Sequence, residues 1–124
     1  MKTPANADLL VRTREYALRI IRLSSSLPKT KEAFVLGQQV LRSGTSIGAN
    51  YREANRARSK AEFIAKIGDC LKEADETLYW IELIAFSEME PEQRLRPLIE
   101  ESNELISILT TIHKHAKSTN KPVP

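Results

Sequence analysis

KEAFVLGQQVLRSGTSIGANYREANRA, residues 31–57, followed by Ser59-Lys60-Ala61-Glu62, decides how this chain folds. Leu36, Val40, Ser43, Ile47, Tyr51 and Ala54 recur at intervals of three or four, which lays them along one side of a helix. Thr30 stands in front with a hydroxyl suited to the first free N–H groups, so the helix reads as 30–57. Ser59 and Glu62 have the spacing of a capping box, in which the Ser accepts from one free N–H and the Glu reaches back to another. A second helix therefore opens at about residue 60. Two helices joined by so short a link fold back antiparallel.

The same periodicity extends in both directions. Upstream, Leu9, Thr13, Tyr16, Ala17, Ile20, Ser24 and Leu27 share a face, giving a helix over about 8–26. Pro28 stops it, because proline disfavours helix at the residue before it. Downstream, Phe63, Ile67, Leu71, Ala74, Leu78, Ile81 and Ala85 carry the third helix from 60 to 87. Glu88–Pro91 reads as a turn. The last helical segment spans about 92–117, with Leu98, Leu105, Leu109, Ile112 and Ala116 as its apolar face. Pro97 lacks an N–H, so the expectation is a short turn over 92–96 and the main helix from 97. Residues 118–124 read as a loose tail. The fold class is all-α: one domain over 1–124, an antiparallel up-down-up-down four-helix bundle.

Composition agrees. In 124 residues, 41% are hydrophobic, enough for a core; 6% are aromatic and four are Gly, too few for a sandwich or barrel. One cysteine excludes a disulfide framework and a thiolate zinc site. No apolar run approaches the roughly 20 residues of a membrane span, and the N-terminus has no signal-like apolar stretch. The expected location is cytoplasmic, with no membrane partner.

Charge is unevenly placed. Residues 1–62 hold 12 basic and 5 acidic side chains, a surplus of +7; residues 63–124 hold 7 and 11, which is −4, and the chain carries +3. Either the halves pair with each other, or a basic face is offered to a polyanion. Arg42, Arg52 and Arg56 fall on the second helix away from its core, beside Lys31, Gln38 and Thr45; Arg12 and Arg19 form a pair on the first helix. Guanidinium forks suit phosphate oxygens, so these five are the candidate nucleic-acid contacts, with a solvated, ion-paired face as the alternative. No aromatic interrupts the stripe, so base reading is not expected and binding would be salt-sensitive.

Gly37, Leu41, Gly44 and Gly48 trace a narrow stripe beside the second helix's core face. Glycine costs roughly 0.5–1 kcal/mol against alanine inside a helix, so another backbone is expected to approach there. A neighbouring helix or a second subunit both satisfy that. On the third helix Tyr79 and Leu83 lie away from its core, and Trp80 and Ile84 widen the apolar arc. Tyr79, Leu83, Trp80, Gly44 and Gly48 are the candidate oligomer contacts.

Reactive constellations are weak. Asp69, Glu73 and Glu76 line one face but have no Glu-x-x-His partner, so they read as a solvated, Arg-pairing face instead of metal ligands. Cys70 falls near the apolar face as a small buried residue, and pairing with His113 has no local signature. Gly44-Thr-Ser-Ile-Gly48 lacks the lysine of a phosphate loop and follows no strand. No catalytic residue, metal or cofactor is expected.

Ser46, Ile47, Asn50 and Glu53, then Ser59, Glu62 and Phe63, together with Lys72–Ile81, resemble the bacterial four helix bundle protein family over about residues 8–117. Some members are encoded in intervening sequences of large-subunit ribosomal RNA genes. The resemblance implies a bundle that assembles into a ring-like homopentamer, without an established enzymatic activity. A related accessory protein of diversity-generating retroelements binds nucleic acid and a reverse transcriptase. Beside that resemblance, Asn50 and Glu53 are expected to hydrogen-bond to a neighbouring helix as structural polar residues. The function expected is a non-catalytic oligomeric bundle acting as an accessory module for RNA or DNA. The alternative is a protein–protein scaffold with no nucleic-acid role.

Overall fold

A computed structural model describes residues 4–119. Four helices follow in order: α1 (Pro4–Ser26), α2 (Lys31–Asn55), α3 (Lys60–Phe86) and α4 (Glu92–Ser118). Each packs on its neighbour in sequence, and α1 meets α4 at fewer points to close the bundle. Among the described residues no helix is long and apolar enough to cross a membrane.

The ends of the helices show why they start and stop where they do. The Thr30 hydroxyl accepts from the Ala33 N–H at 3.1 Å. The Ser59 hydroxyl accepts from the Glu62 N–H at 3.0 Å. Glu62 reaches back one residue further than a standard capping box, accepting from the Arg58 N–H at 2.9 Å. At the far end of α3 the Met89 N–H donates to the Ile84 carbonyl and the Glu88 N–H to the Ala85 carbonyl. This is a Schellman closure with Glu88 at φ 59°, where glycine is the usual occupant.

Proline 97 does not divide the last segment: α4 is continuous from Glu92, so the expected turn over 92–96 is absent. In the second turn of a helix the missing N–H leaves only the Gln93 carbonyl without its i+4 donor. Leu95 and Leu98, both buried, hold the turn against the core on either side of the ring.

Tyr16, Ile20, Val40, Ile47, Tyr51, Ile67, Ile81, Ile84, Leu95, Leu105 and Leu109 form the fully buried centre. The buried line of α3 runs through Ile67, Cys70, Ala74, Thr77, Ile81 and Ile84. Phe63, Leu71 and Ala85, expected on that line, pack on its flanks. The cause is that α3 lies between α2 and α4, so its burial centres between those two neighbours. Buried polar atoms are all satisfied among the described residues. The Thr77 and Ser43 hydroxyls meet at 2.8 Å across α2 and α3. Tyr16 Oη meets Ser102 Oγ at 2.6 Å across α1 and α4.

Two of these buried groups make stability pH-dependent. Burial pushes the Tyr16 hydroxyl up to about 12 from 10.0 and the Cys70 thiol up to about 12 from 9.0. The folded state therefore keeps protons that the unfolded chain releases first. Stability is full below about pH 9 and falls as pH rises through 9–12, by an order of 2–3 kcal/mol for Tyr16 alone. Denaturant melts at pH 8 and pH 11 should show the loss, and Tyr16→Phe with Cys70→Ala should reduce it, leaving the smaller share of Tyr51, whose hydroxyl burial also raises. An equally steep loss in that double variant would assign the effect to other groups.

Candidate functional site

The five candidate arginines do not form one face. Arg42 sits on α2 with one guanidinium nitrogen 2.7 Å from Glu76 and the other 3.3 Å from Glu73, both on α3. Its pKa is raised, first by the hydrogen bond to Glu76. Arg12 is a fork on Glu101 of α4, at 3.0 and 2.7 Å, with Glu104 at 3.5 Å. Both arginines are interhelical pins, and this corrects their expected role as free phosphate contacts. Arg52 lies instead in the outer α1–α2 groove with Arg14, Leu10, Ala17 and Thr45. Ten residues at about 100° each put Arg52 about 80° round the helix from Arg42, enough to send one toward α1 and the other toward α3. Arg56 is exposed beyond the last turn of α2. Arg19 lies in a different cleft, between α1 and α4, with Arg22 and Arg94. Among the described residues Arg19, Arg22, Arg52 and Arg56 have no carboxylate within salt-bridge distance.

The glycine stripe belongs to the chain's own α1–α2 seam. A Cβ on Gly44 would stand 2.8 Å from Ile20 Cγ1 and Cγ2, and one on Gly48 would stand 3.2 Å from Thr13 Oγ1. Gly44 and Gly48 are thus corrected from oligomer contacts to intramolecular ones, since Ile20 and Thr13 occupy the space a partner would need. Tyr79 is 54% exposed and lies edge-on to Trp80 at 5.1 Å; Trp80 and Leu83 are half-buried. Phe86, two turns beyond Tyr79, is 83% exposed. The sequence reading missed this residue, and missed Val11, Leu18, Ile21, Phe34 and Val35, all exposed. Their signal was available: Val11, Leu18 and Ile21 repeat at seven and three, a second apolar line on the side of α1 away from its core line.

Asn50 Nδ2 donates to the Ser46 carbonyl of its own helix at 3.0 Å, so the expected bond to a neighbouring helix is not made. Its amide is taken up by the carbonyl one turn back, a local bond open to Asn inside a helix. Glu53 does cross to α3, where Lys66 Nζ lies at 2.7 Å.

The carboxylates and the cysteine are held in structural contacts. Glu73 and Glu76 share the one Arg42 guanidinium, and Trp80 Nε1 donates to Glu76 at 3.4 Å. Among the described residues no three His, Cys, Asp or Glu side chains converge as metal ligands do. Cys70 Sγ faces the Ile47 carbonyl of α2 at 3.6 Å. His113 lies against Gly68, where an added Cβ would be 3.5 Å from Nε2. The raised thiol pKa favours the protonated, unreactive form.

Helices pinned by interhelical arginines, with apolar side chains left uncovered on two outer faces, define an all-α four-helix-bundle protein. The chain belongs to the 23S rRNA-intervening sequence protein family, whose sequence model matches residues 6–111. It is similar to a crystal structure, at 1.70 Å, of a protein of unknown function from the S23 ribosomal protein family of Bacteroides thetaiotaomicron. The two are 40% identical, with a TM-score of 0.82, covering 88% of this chain and 97% of the other. No curated protein matches the chain.

Proposed function

We propose that the protein is a non-catalytic, cytoplasmic bundle that self-associates into a ring-like homopentamer and offers its uncommitted arginines to nucleic-acid phosphates. The observation that carries self-association is the pair of unlike uncovered apolar faces. One is Val11, Leu18 and Ile21 on α1; the other is Tyr79 and Phe86 on α3. Two different faces meeting between copies give heterologous contacts, which close into a ring when the rotation permits. The basic residues of α1–α2 and the acidic surplus of α3–α4 favour that head-to-tail arrangement. The number five rests on the family resemblance. Tyr79→Ala with Leu83→Ala should lower the solution mass measured by light scattering, and an unchanged mass would retire the α3 face as an interface.

The nucleic-acid half rests on Arg19, Arg22, Arg52 and Arg56, which have no carboxylate within salt-bridge distance among the described residues. Anisotropy of labelled RNA and DNA should show binding that weakens steeply between roughly 50 and 200 mM salt. The commitment of Arg12 and Arg42 to internal pairs favours a second reading, a scaffold for a protein partner. Absence of binding at micromolar protein in low salt would select that reading.

A further inference from the structure

At the end of the bundle where α1 finishes and α4 begins, a cleft of about 200 Å³ opens between Arg19, Arg22 and Ser26 on one side and Glu90, Arg94 and Leu98 on the other. Arg12 and Arg42 each meet two carboxylates. Here the ratio is reversed. Among the described residues Glu90 is the one carboxylate lining the cleft, and its side chain is only 6% exposed. One of its oxygens takes Arg94 at 2.9 Å and the other takes the Ser26 hydroxyl at 3.4 Å. Arg94 is thereby held in place, while Arg19 and Arg22 have no acid partner among the described residues. Three guanidinium groups around one carboxylate leave two positive charges uncompensated. The cleft also lies at the first turn of α4, whose N-terminus carries no side-chain cap and presents the positive end of the helix dipole.

We infer that this cleft binds a dianionic phosphate, with Arg19, Arg22 and Arg94 as its ligands. The charge matches: a phosphate monoester carries about −1.5 to −2 at neutral pH, whereas an internal phosphodiester carries a single charge. Planar forks around a small concave space suit the tetrahedral oxygens of that group. The phosphate can be free inorganic phosphate or the terminal phosphate of a nucleotide or nucleic-acid end. In the last case the inference rests on, and sharpens, the nucleic-acid reading above.

The test uses the full chain and three probes: inorganic phosphate, a short oligonucleotide with a 5′-phosphate, and the same oligonucleotide with a 5′-hydroxyl. Calorimetry should show inorganic phosphate binding that Arg22→Ala weakens at least about tenfold, while Arg58→Ala, the same loss of charge at the opposite end, leaves it unchanged. Arg22 is exposed and unpaired, so its removal keeps the fold. Glu90→Gln keeps a hydrogen-bonding side chain beside Ser26 but removes the competing charge, so it should tighten phosphate binding. A site that merely stabilises the bundle would not tighten. Preference for the 5′-phosphate over the 5′-hydroxyl assigns the site to nucleic-acid ends; equal binding of both with retained phosphate binding assigns it to free phosphate. No phosphate binding, or binding insensitive to Arg22→Ala and Glu90→Gln, overturns the inference. Oligonucleotide binding that persists in that event, lost with Arg52→Ala and Arg56→Ala, would leave the nucleic-acid reading standing.

Discussion

Tyr16→Ala should lower stability by about 3–5 kcal/mol, while Tyr16→Phe should cost about 1 kcal/mol or less. The ring is 1% exposed, in the middle of α1, where α1 and α4 approach each other at few points. Among the described residues that side is closed by side-chain links from Arg12 to Glu101 and Glu104, from Tyr16 to Ser102, and from Ser26 to Glu90 just before α4. The first and last lie in reach of water, so their contribution is modest. Tyr16 is the link that also fills volume. Its removal leaves a cavity lined by both helices, and those linings lose partner atoms that no neighbour replaces. The phenylalanine variant separates volume from hydrogen bond. Without the Tyr16 hydroxyl, Ser102 still donates to the Leu98 carbonyl at 2.8 Å, so no buried polar atom is stranded. Thermal melts should therefore place Tyr16→Ala roughly 10–20 °C below the parent and Tyr16→Phe within a few degrees. A Tyr16→Ala melt within about 3 °C of the parent would mean that α1 and α4 are held by something other than this ring.

What the sequence disclosed and what it withheld divide along a physical line. Helix starts depend on residues within one turn, so Thr30, Ser59 and Pro28 were readable without any tertiary knowledge. The α1 core face was readable too, because α1 has one dominant neighbour, α2; on α2 the buried Val40, Ser43, Ile47, Tyr51 and Ala54 match the sequence periodicity although two helices pack on it. The α3 face was misplaced by a fraction of a turn, because Leu71 and Leu78 are apolar yet flank the line that α2 and α4 jointly bury. Pro97 does not break α4, since one lost bond near a helix start is outweighed by two buried leucines beside it. The arginine stripe failed for a geometric reason. A long side chain finds whichever carboxylate its neighbour helix presents, and the angular position of Glu73, Glu76 or Glu101 across a groove is not written in local spacing. The exposed apolar line of α1 was legible but overlooked beside the stronger core line. The cleft between Arg22 and Arg94 joins residues from opposite ends of the chain, and only the closed bundle brings them together.

Gly44→Leu is expected to cost about 3 kcal/mol or more, with Gly44→Ala costing about 1–2 kcal/mol, against the usual gain from removing a helical glycine. Alanine at an open helix position would stabilise by roughly 1 kcal/mol. Here the added Cβ lands 2.8 Å from two carbons of Ile20 and 3.2 Å from its Cβ. Ile20 is fully buried and β-branched, so χ1 rotation gives no escape and α1 itself must move. Gly37 provides the contrast on the same helix. A Cβ there would meet the terminal Cδ1 of Leu27 at 3.3 Å, an atom that swings aside cheaply, so Gly37→Ala should be neutral or mildly stabilising. The coupling with Ile20 identifies the cause. Ile20→Ala removes both clashing Cγ carbons, so its cost in the Gly44→Ala background should be at least about 1 kcal/mol smaller than in the parent. Chemical denaturation of the four variants measures this cycle directly. If Gly44→Ala equals or exceeds the parent in stability, the seam yields at little cost and close packing of α1 on α2 is not why glycine stands at position 44. If the cost appears but Ile20→Ala does not reduce it, the strain lies in the α2 backbone instead of the α1–α2 contact.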